Sequence, residues 1–290
     1  LYVFNNLYPK TVGSFDFSSA GWGNLEGSKS GNYGKSETPE FISVFGGPTT
    51  GDIYSEADNR DSSLKFDPIR GNTIELWIKK EDFVPSSKTD REVIFDCYSK
   101  NSVSTETKAR ITLELDTGAT GTDNCLMITY MSGAMVNGSA TLKGINQLVQ
   151  GSNQSKIVDE NWHHLAISLY NTGDDLRYDF YIDGTRESTE TIASQSLGTS
   201  NRNMIATIGS LAAADAVNST GELGGGHLSA SIDEFRFWKT KRNEKEIGRY
   251  YQQEVNGGTD SDHTNSNLGV YFKFNEGINL KQNIVLDYSG

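Results

Sequence analysis

Two acidic stretches have the spacing that acid–base chemistry would need. Glu56-Ala57-Asp58-Asn59-Arg60-Asp61 and Glu114-Leu115-Asp116 each place carboxylates at i and i+2. On a strand such residues share a face, and a facing pair of carboxylates supplies the acid and the nucleophile of glycoside hydrolysis. The first stretch is polar throughout and shows no strand alternation, so nothing in it would hold its carboxylates on one face. Metal chemistry has less support. His163 and His164 are adjacent, so a strand sends them to opposite faces, where they cannot chelate one ion together; His227 and His263 stand at no ligand spacing. "DSDHTN" at 260–265 has the acidity of a calcium loop but lacks its glycine and distal glutamate. The chain has no G-x-S-x-G elbow, no P-loop, no G-x-G-x-x-G after a strand and no HExxH. Gly224-Gly225-Gly226 leads into a strand and not a helix, so it lacks the helix amides that cradle phosphate.

Composition narrows the class. A chain of 290 residues suits one large all-β domain. The formal net charge is −12, and the acidic and basic residues are scattered except for one cluster, Lys239-Thr240-Lys241-Arg242. A nucleic-acid groove needs a concentrated positive field, so no nucleic-acid partner is expected. No apolar run approaches the roughly 18 residues of a spanning helix, so no membrane insertion is expected either. The chain starts at Leu1 with no charged and apolar leader behind it; LYVFNNLYPK reads as a strand and a turn, as in a segment of a longer or processed protein. The two cysteines, Cys97 and Cys125, are too few for a disulfide scaffold. Each falls on a predicted strand, and the reading preferred is a buried free thiol acting as a small apolar side chain, with pairing between neighbouring strands as the alternative.

The elements that would position any site are strands. Thirty glycines, with abundant Ser, Thr and Asn, separate short apolar-alternating runs. Ile74, Leu76 and Ile78 alternate in "TIELWIKK"; Val93, Phe95 and Cys97 do so in "REVIFDCYSK", and Ile111, Leu113 and Leu115 in "ARITLELD". "CLMITYM" is apolar on both faces. Leu165, Ile167 and Leu169 share one face in "WHHLAISLY", and Tyr178, Phe180 and Ile182 in "RYDFYIDG", where Asp183-Gly184 signals a two-residue hairpin. "MIATIGS" and "SASIDEFRFW" complete the set. One short helix is predicted in "RNEKEIGRYY", with Asn243 as N-cap, Glu246 closing a capping box, and Ile247 with Tyr250 or Tyr251 on its apolar face. Residues 18–63 and 131–156 read as long polar loops with short strands. Period-2 patterning throughout predicts a two-sheet antiparallel sandwich.

Three segments carry a family resemblance. "DENWHHLAISLYNTGDDLRYDFYIDGT" (159–185), "GHLSASIDEFRFWKTKRNEKEI" (226–247) and "SSLKFDPIRGNTIELWIKK" (62–80) resemble, in order and at suitable distances over about residues 25–255, the laminin-G-like branch of the concanavalin A-like lectin/glucanase jelly rolls. The resemblance implies two curved antiparallel sheets, one concave and one convex, with Trp162 and its strand burying a large apolar surface. Hydrolases of this fold carry Glu-x-Asp-x-x-Glu on one strand. Here the stretch from Glu56 ends in Asp61, and the stretch from Glu114 meets Ala119 in place of the last carboxylate, so no enzyme is expected. The resemblance also implies a structural calcium beside the last strand, with Asp233 as its side-chain ligand and carbonyls from an early loop. Sugar binding would draw on aromatic faces, for which Trp22, Trp77, Tyr98, Tyr181 and Trp238 are the bulky candidates, most of them better explained as packing.

The two ends of the chain echo each other. Phe4-Asn5 and Phe274-Asn275 lie 270 residues apart, and Asp16 and Asp287 lie 271 apart, each within an aromatic strand, polar spacer and Asp-aromatic-Ser order. Residues 1–265 are expected to form the jelly-roll domain, and 266–290 either its sheet-closing strand or, as the echo favours, the start of a following repeat. The function expected is a non-catalytic extracellular or virion-surface module for adhesion, glycan recognition or structural display, within a larger repetitive protein. Its partners would be a glycan or protein on a cell or particle surface and neighbouring copies of the domain. The alternative is a glycoside hydrolase or polysaccharide lyase of the same fold.

Overall fold

A computed structural model describes residues 15–16, 42–45, 64–81, 92–99, 107–115, 126–136, 139–140, 143–145, 157–193, 197, 204–209, 228–255, 267–275 and 287–289. In chain order the elements are β1 (Phe15–Asp16), β2 (Ile42–Phe45), β3 (Asn72–Lys79), β4 (Glu92–Ser99), β5 (Thr107–Leu115), β6 (Leu126–Val136), β7 (Ser139–Ala140), β8 (Lys143–Ile145), β9 (Trp162–Thr172), β10 (Asp175–Ile182), β11 (Thr185–Ile192), β12 (Met204–Ile208), β13 (Ser231–Trp238), α1 (Glu244–Tyr250) and β14 (Leu268–Phe272). They form a jelly-roll sandwich of two antiparallel sheets. One runs β1-β13-β3-β9-β10-β11, with β14 also paired to β13; the other runs β2-β12-β4-β5-β6-β7, with β8 also paired to β6.

The alternation expected along the strands builds the core between the sheets. Ile74, Leu76 and Ile78 from β3, Leu165, Ile167 and Leu169 from β9, and Tyr178, Phe180 and Ile182 from β10 meet Ile111, Leu113 and Leu115 from β5 in one buried cluster. Burying each such side chain contributes about 1.5–3 kcal/mol. An ion pair also ties the layers together. The Lys80 ammonium lies 3.0 Å from Glu92, which opens β4, and donates to the Ser229 carbonyl at 2.8 Å beside β13. Cys97 is a free, fully buried thiol, while Cys125 lies outside the described residues.

Three local features depart from the expected pattern. The β4–β5 register shifts between Val93 and Phe95, so Ile94 and Phe95 both enter the core cluster and the simple alternation breaks. β11, "TRESTETI", is an edge strand without an apolar face; it is held mainly by its ladder to β10, with only Ile192 packed against the core. Trp162 is only partly buried, because the period of β9 puts it with His164 and Ala166 on the face turned away from the core, at the strand's first position. At the other end of the sheet, β14 is buried along its length and adds Val270 and Phe272 to the core, followed by Phe274. Asp287 bridges back to Phe272 and accepts the Tyr271 amide at 2.9 Å.

The β10–β11 connection is the tight hairpin that Asp183-Gly184 predicts, with φ of 47° and 77°. α1 is capped as expected. The Asn243 side chain accepts from the Lys245 and Glu246 amides, and the Glu246 carboxylate accepts from the Asn243 amide. Ile247 is buried against Ala166 and Tyr181; of the two candidate tyrosines, Tyr251 turns inward and Tyr250 stays exposed. Among the described residues no helix is long and apolar enough to cross a membrane.

Candidate functional site

The outer face of the first sheet is where this chain concentrates its polar chemistry. The segment after β13 crosses that face and is pinned to it by hydroxyls. The Thr73 hydroxyl donates to the Thr240 carbonyl at 2.9 Å and accepts the Arg242 amide at 2.8 Å, and the Ser168 hydroxyl donates to the Arg242 carbonyl at 2.8 Å. The Lys241 amide donates to the Arg70 carbonyl at 2.6 Å. These bonds exist because alternation turns Thr73 and Ser168 away from the core while Ile74 and Ile167 turn into it.

Beneath this segment lies a buried charge network. Arg242 donates to both oxygens of Glu75, at 2.7 and 2.9 Å, and its guanidinium lies 4.4 Å from the centre of the Trp238 ring. Arg236 stands 3.6 Å from Glu75 and donates at 2.6 Å to Glu234, which also accepts from the Tyr271 hydroxyl. Burial alone would raise the Glu75 carboxyl, but the guanidiniums of Arg242 and then Arg236 outweigh it and hold the group below its ordinary value. His164 is fully buried between Trp77 and Tyr251, and burial draws its imidazole down to about 4, so it is neutral at physiological pH. Its neighbour His163 lies on the other face, with Asp183 2.9 Å from Nδ1 and Asp159 3.0 Å from Nε2; the Asp183 hydrogen bond leads in raising its pKa. The two histidines do not meet, as expected. The network's ion pairs are buried, and within it both His164 ring nitrogens, Glu234 Oε1, Arg236 Nε and Trp238 Nε1 have no hydrogen-bond partner among the described residues.

The network's neighbour on the same face is open. Tyr170 from β9, Arg177, Asp179 and Tyr181 from β10, and Arg186 from β11 form one wall of a groove of about 780 Å³; Lys241, Asn243, Glu244 and Lys245 form the other. Asp179 is the buried hub. It accepts from the Tyr170 hydroxyl at 3.0 Å, from Thr189 at 2.7 Å and from Arg177 at 3.4 Å, and Lys241 lies 4.0 Å away. Burial and the Asp179 charge push the Tyr170 hydroxyl up to about 12, so it remains a donor. The Lys241 ammonium sits 3.3 Å from the centre of the Tyr170 ring. The walls present guanidinium, ammonium and amide groups around the buried Asp179, an arrangement suited to binding a polar ligand.

The sequence-predicted residues are dispersed. Glu56, Asp58 and Asp61 lie outside the described residues, as do Asp116 and Trp22. Glu114 is buried in β5, and Asp96 on the neighbouring β4 accepts two 2.7 Å bonds from Arg110 and one from Thr112. Trp77 and Trp238 are packing residues; Tyr98 lies on β4, and its side chain is outside the description. Among the described aromatic candidates Tyr181 alone lines the groove, and it is buried against Ala166 and Ile247. Asp233 is buried in β13 at a bulge opposite Trp77, where it accepts the amide of Glu234, a residue with φ of 51°. Among the described residues no group of three or more His, Cys, Asp or Glu side chains could hold a metal ion. One carboxylate falls well short of the six to eight oxygens Ca²⁺ takes, so the described donors do not by themselves make that site.

The groove was missed because its residues are split among three strands and the segment after β13. Two signals were present: Arg177, Asp179 and Tyr181 alternate opposite the core residues of "RYDFYI", and Lys241 belongs to the chain's basic cluster.

Comparison with known proteins places the fold in a family. Residues 49–248 match the laminin-G model of the concanavalin A-like lectin/glucanases superfamily. Solved structures with related folds include a Bacteroides ovatus protein provisionally designated as carbohydrate binding, at 14% identity and a TM-score of 0.42, covering 77% of this chain and 50% of its own. Another is the native heptameric SAP-like pentraxin of Limulus polyphemus, at 13% identity and a TM-score of 0.34, covering 78% of this chain and 85% of its own. A third is the LG4-5 pair of the mouse laminin α1 chain, at 14% identity and a TM-score of 0.35, covering 63% and 40%. This chain thus spans half the length of the first protein and less than half of the laminin segment. No curated protein matches the sequence. With 200 of its 290 residues inside the family model and a two-sheet antiparallel sandwich to match, the chain belongs to the concanavalin A-like lectin/glucanases superfamily.

Proposed function

We propose that this domain is a non-catalytic glycan-recognition module of an extracellular protein, displayed on a cell or particle surface. The observation that carries the reading is the groove on the outer face of β9–β11, a preformed cleft lined largely by charged and hydrogen-bonding side chains, in which the buried Asp179 is fixed by three side-chain donors. Preorganised donors lower the ordering cost of binding a flexible, hydroxyl-rich ligand. Family membership supports the same class of ligand. The Bacteroides ovatus protein carries a carbohydrate-binding designation, and a second likeness, at 7% identity and a TM-score of 0.36, is the Ruminococcus gnavus sialidase module described bound to sialyllactose.

The absence of catalysis is part of the proposal. It is supported by the commitment of Asp96 to Arg110 and Thr112 and of Glu75 to Arg242, which ties up these carboxylates. The echo between residues 1–21 and 269–290 supports a place in a tandem array of similar units. The test is a glycan array probed with the purified domain and with a Tyr170→Ala, Lys241→Ala double variant. Saturable binding by the native domain, lost in the variant and accompanied by no release of sugar, is the expected result. A blank array would sink the reading in favour of an architectural domain, and release of reducing ends would replace it with a hydrolase.

A further inference from the structure

The groove has a charge character opposite to that of the chain. Across the whole sequence Asp and Glu outnumber Lys and Arg by 38 to 26. Among the groove's lining residues the order reverses, with Arg177, Arg186, Lys241 and Lys245 against Asp179 and Glu244. The two carboxylates are also spoken for. Asp179 is buried and receives its three donors, and Glu244 lies 3.4 Å from Arg186 at the rim. Neither guanidinium is used up by these contacts, since each presents five N–H groups and the contacts found at Arg177 and Arg186 take one nitrogen apiece.

The cations are gathered and not merely present. Lys241 and Arg177 both lie over the Tyr170 ring, at 3.3 and 5.8 Å from its centre. Holding two like charges on one ring is unfavourable without a counter-charge, and Asp179 alone supplies a single negative charge for both. Burial is the main cause that draws the Lys241 ammonium below the ordinary lysine value; the pull of Asp179 opposes it, and Arg177 and Arg186 add smaller repulsions. An anion seated here would meet two cations that share one buried carboxylate.

We propose that the groove selects acidic glycans, seating a carboxylate or sulfate group of the sugar among Lys241, Arg177 and Arg186. The proposal rests on the glycan-recognition reading above and sharpens it. A guanidinium pair with an ammonium is suited to an oxyanion, which accepts several charge-assisted hydrogen bonds at once. The surrounding negative field of the protein would repel polyanions elsewhere on the surface, so this position supplies selectivity as well as attraction.

The test uses calorimetric titration of the whole chain with three oligosaccharides of one backbone: a uronate form, an O-sulfated form, and a carboxyl-reduced, unsulfated neutral form. One or both acidic forms should bind at least about tenfold tighter than the neutral form, with an affinity that falls as salt is raised. Which acidic form wins identifies the oxyanion. Lys241→Gln and Arg177→Gln should each weaken the acidic ligand by about tenfold and the neutral ligand by clearly less, so that the preference for the acidic form shrinks. Thermal unfolding of both variants checks that the fold persists, which the remaining Tyr170 and Thr189 donors to Asp179 favour. Equal binding of neutral and acidic forms, unmoved by either variant, overturns acid selectivity and leaves glycan recognition standing. Failure of all three forms, together with a blank glycan array, takes down both.

Discussion

Replacing Arg242 with Met probes how the strap after β13 is held. The side chain of Glu75 is 1% exposed and that of Arg242 10%, and the two share bonds of 2.7 and 2.9 Å. Removing one partner of a buried pair strands the other charge, at a cost of about 3–5 kcal/mol. Arg236, 3.6 Å from Glu75, remains to share the charge, so the lower end, about 3 kcal/mol, is expected. Loss of the guanidinium from above Trp238, only partly replaced by the methionine stem, adds to this. The pH dependence has a definite sign. In the native chain the Glu75 carboxyl is held below its ordinary 4.5, so its contribution is present above that value and disappears as pH falls through the folded pKa. In Arg242→Met burial dominates and the carboxyl moves upward, so acidification neutralises the stranded charge and narrows the gap between variant and native protein. Urea unfolding from neutral pH downward measures that gap. The Glu75→Gln, Arg242→Met double variant should lose less than the sum of the single losses, by about 1–3 kcal/mol. A loss under about 1 kcal/mol for Arg242→Met, or strict additivity, would refute the buried-pair account.

Three further outcomes follow from the geometry. The His163 imidazole is raised by Asp183 and Asp159, so the stability it contributes is full below the ordinary histidine value of 6.5 and lost as pH rises through its folded pKa; His163→Gln should flatten that part of the stability–pH profile, at about 0.5–1 kcal/mol for a part-exposed pair. Gly184→Ala puts a methyl 2.6 Å from the Tyr251 ring at a φ of 77°, so it should lower the unfolding midpoint by more than the ~1 kcal/mol typical of a left-handed position alone, and an unchanged midpoint would contradict the packing of α1 on this hairpin. Asp233→Ala removes the acceptor of the Glu234 amide at the β13 bulge and should cost about 1–3 kcal/mol whether or not chelator is present. If chelating calcium from the native chain reproduces that loss, the residue acts through a metal instead.

Strands with one apolar face were legible in the sequence, because burial on one side of a sheet leaves a period-2 record; β3, β5, β9 and β10 follow it residue by residue. The hairpin at Asp183-Gly184 and the Asn243 cap were legible for a different reason, since each depends on local backbone chemistry that few residue types satisfy. β11 left no such record, as an edge strand can be polar on both faces. The β4 bulge was hidden because a register shift has no residue signature of its own. The groove was illegible as a whole although its pieces were visible. Arg177 and Asp179 lie on a strand, Lys241 and Lys245 on either side of a cap, and only the crossing of the 239–243 segment over β9 and β10 brings them together. The basic run Lys239–Arg242 divides its labour: Arg242 goes to the buried pair and Lys241 to the groove.

The most direct test of glycan recognition at this face is amide chemical-shift mapping of the isotope-labelled chain during titration with the tightest-binding oligosaccharide from the array. Shifts should cluster at Tyr170, Arg177, Arg186, Lys241 and Lys245, with the β3 and β5 core residues unmoved. Saturating shifts confined to any other face of the sandwich, with these residues silent, would contradict the account.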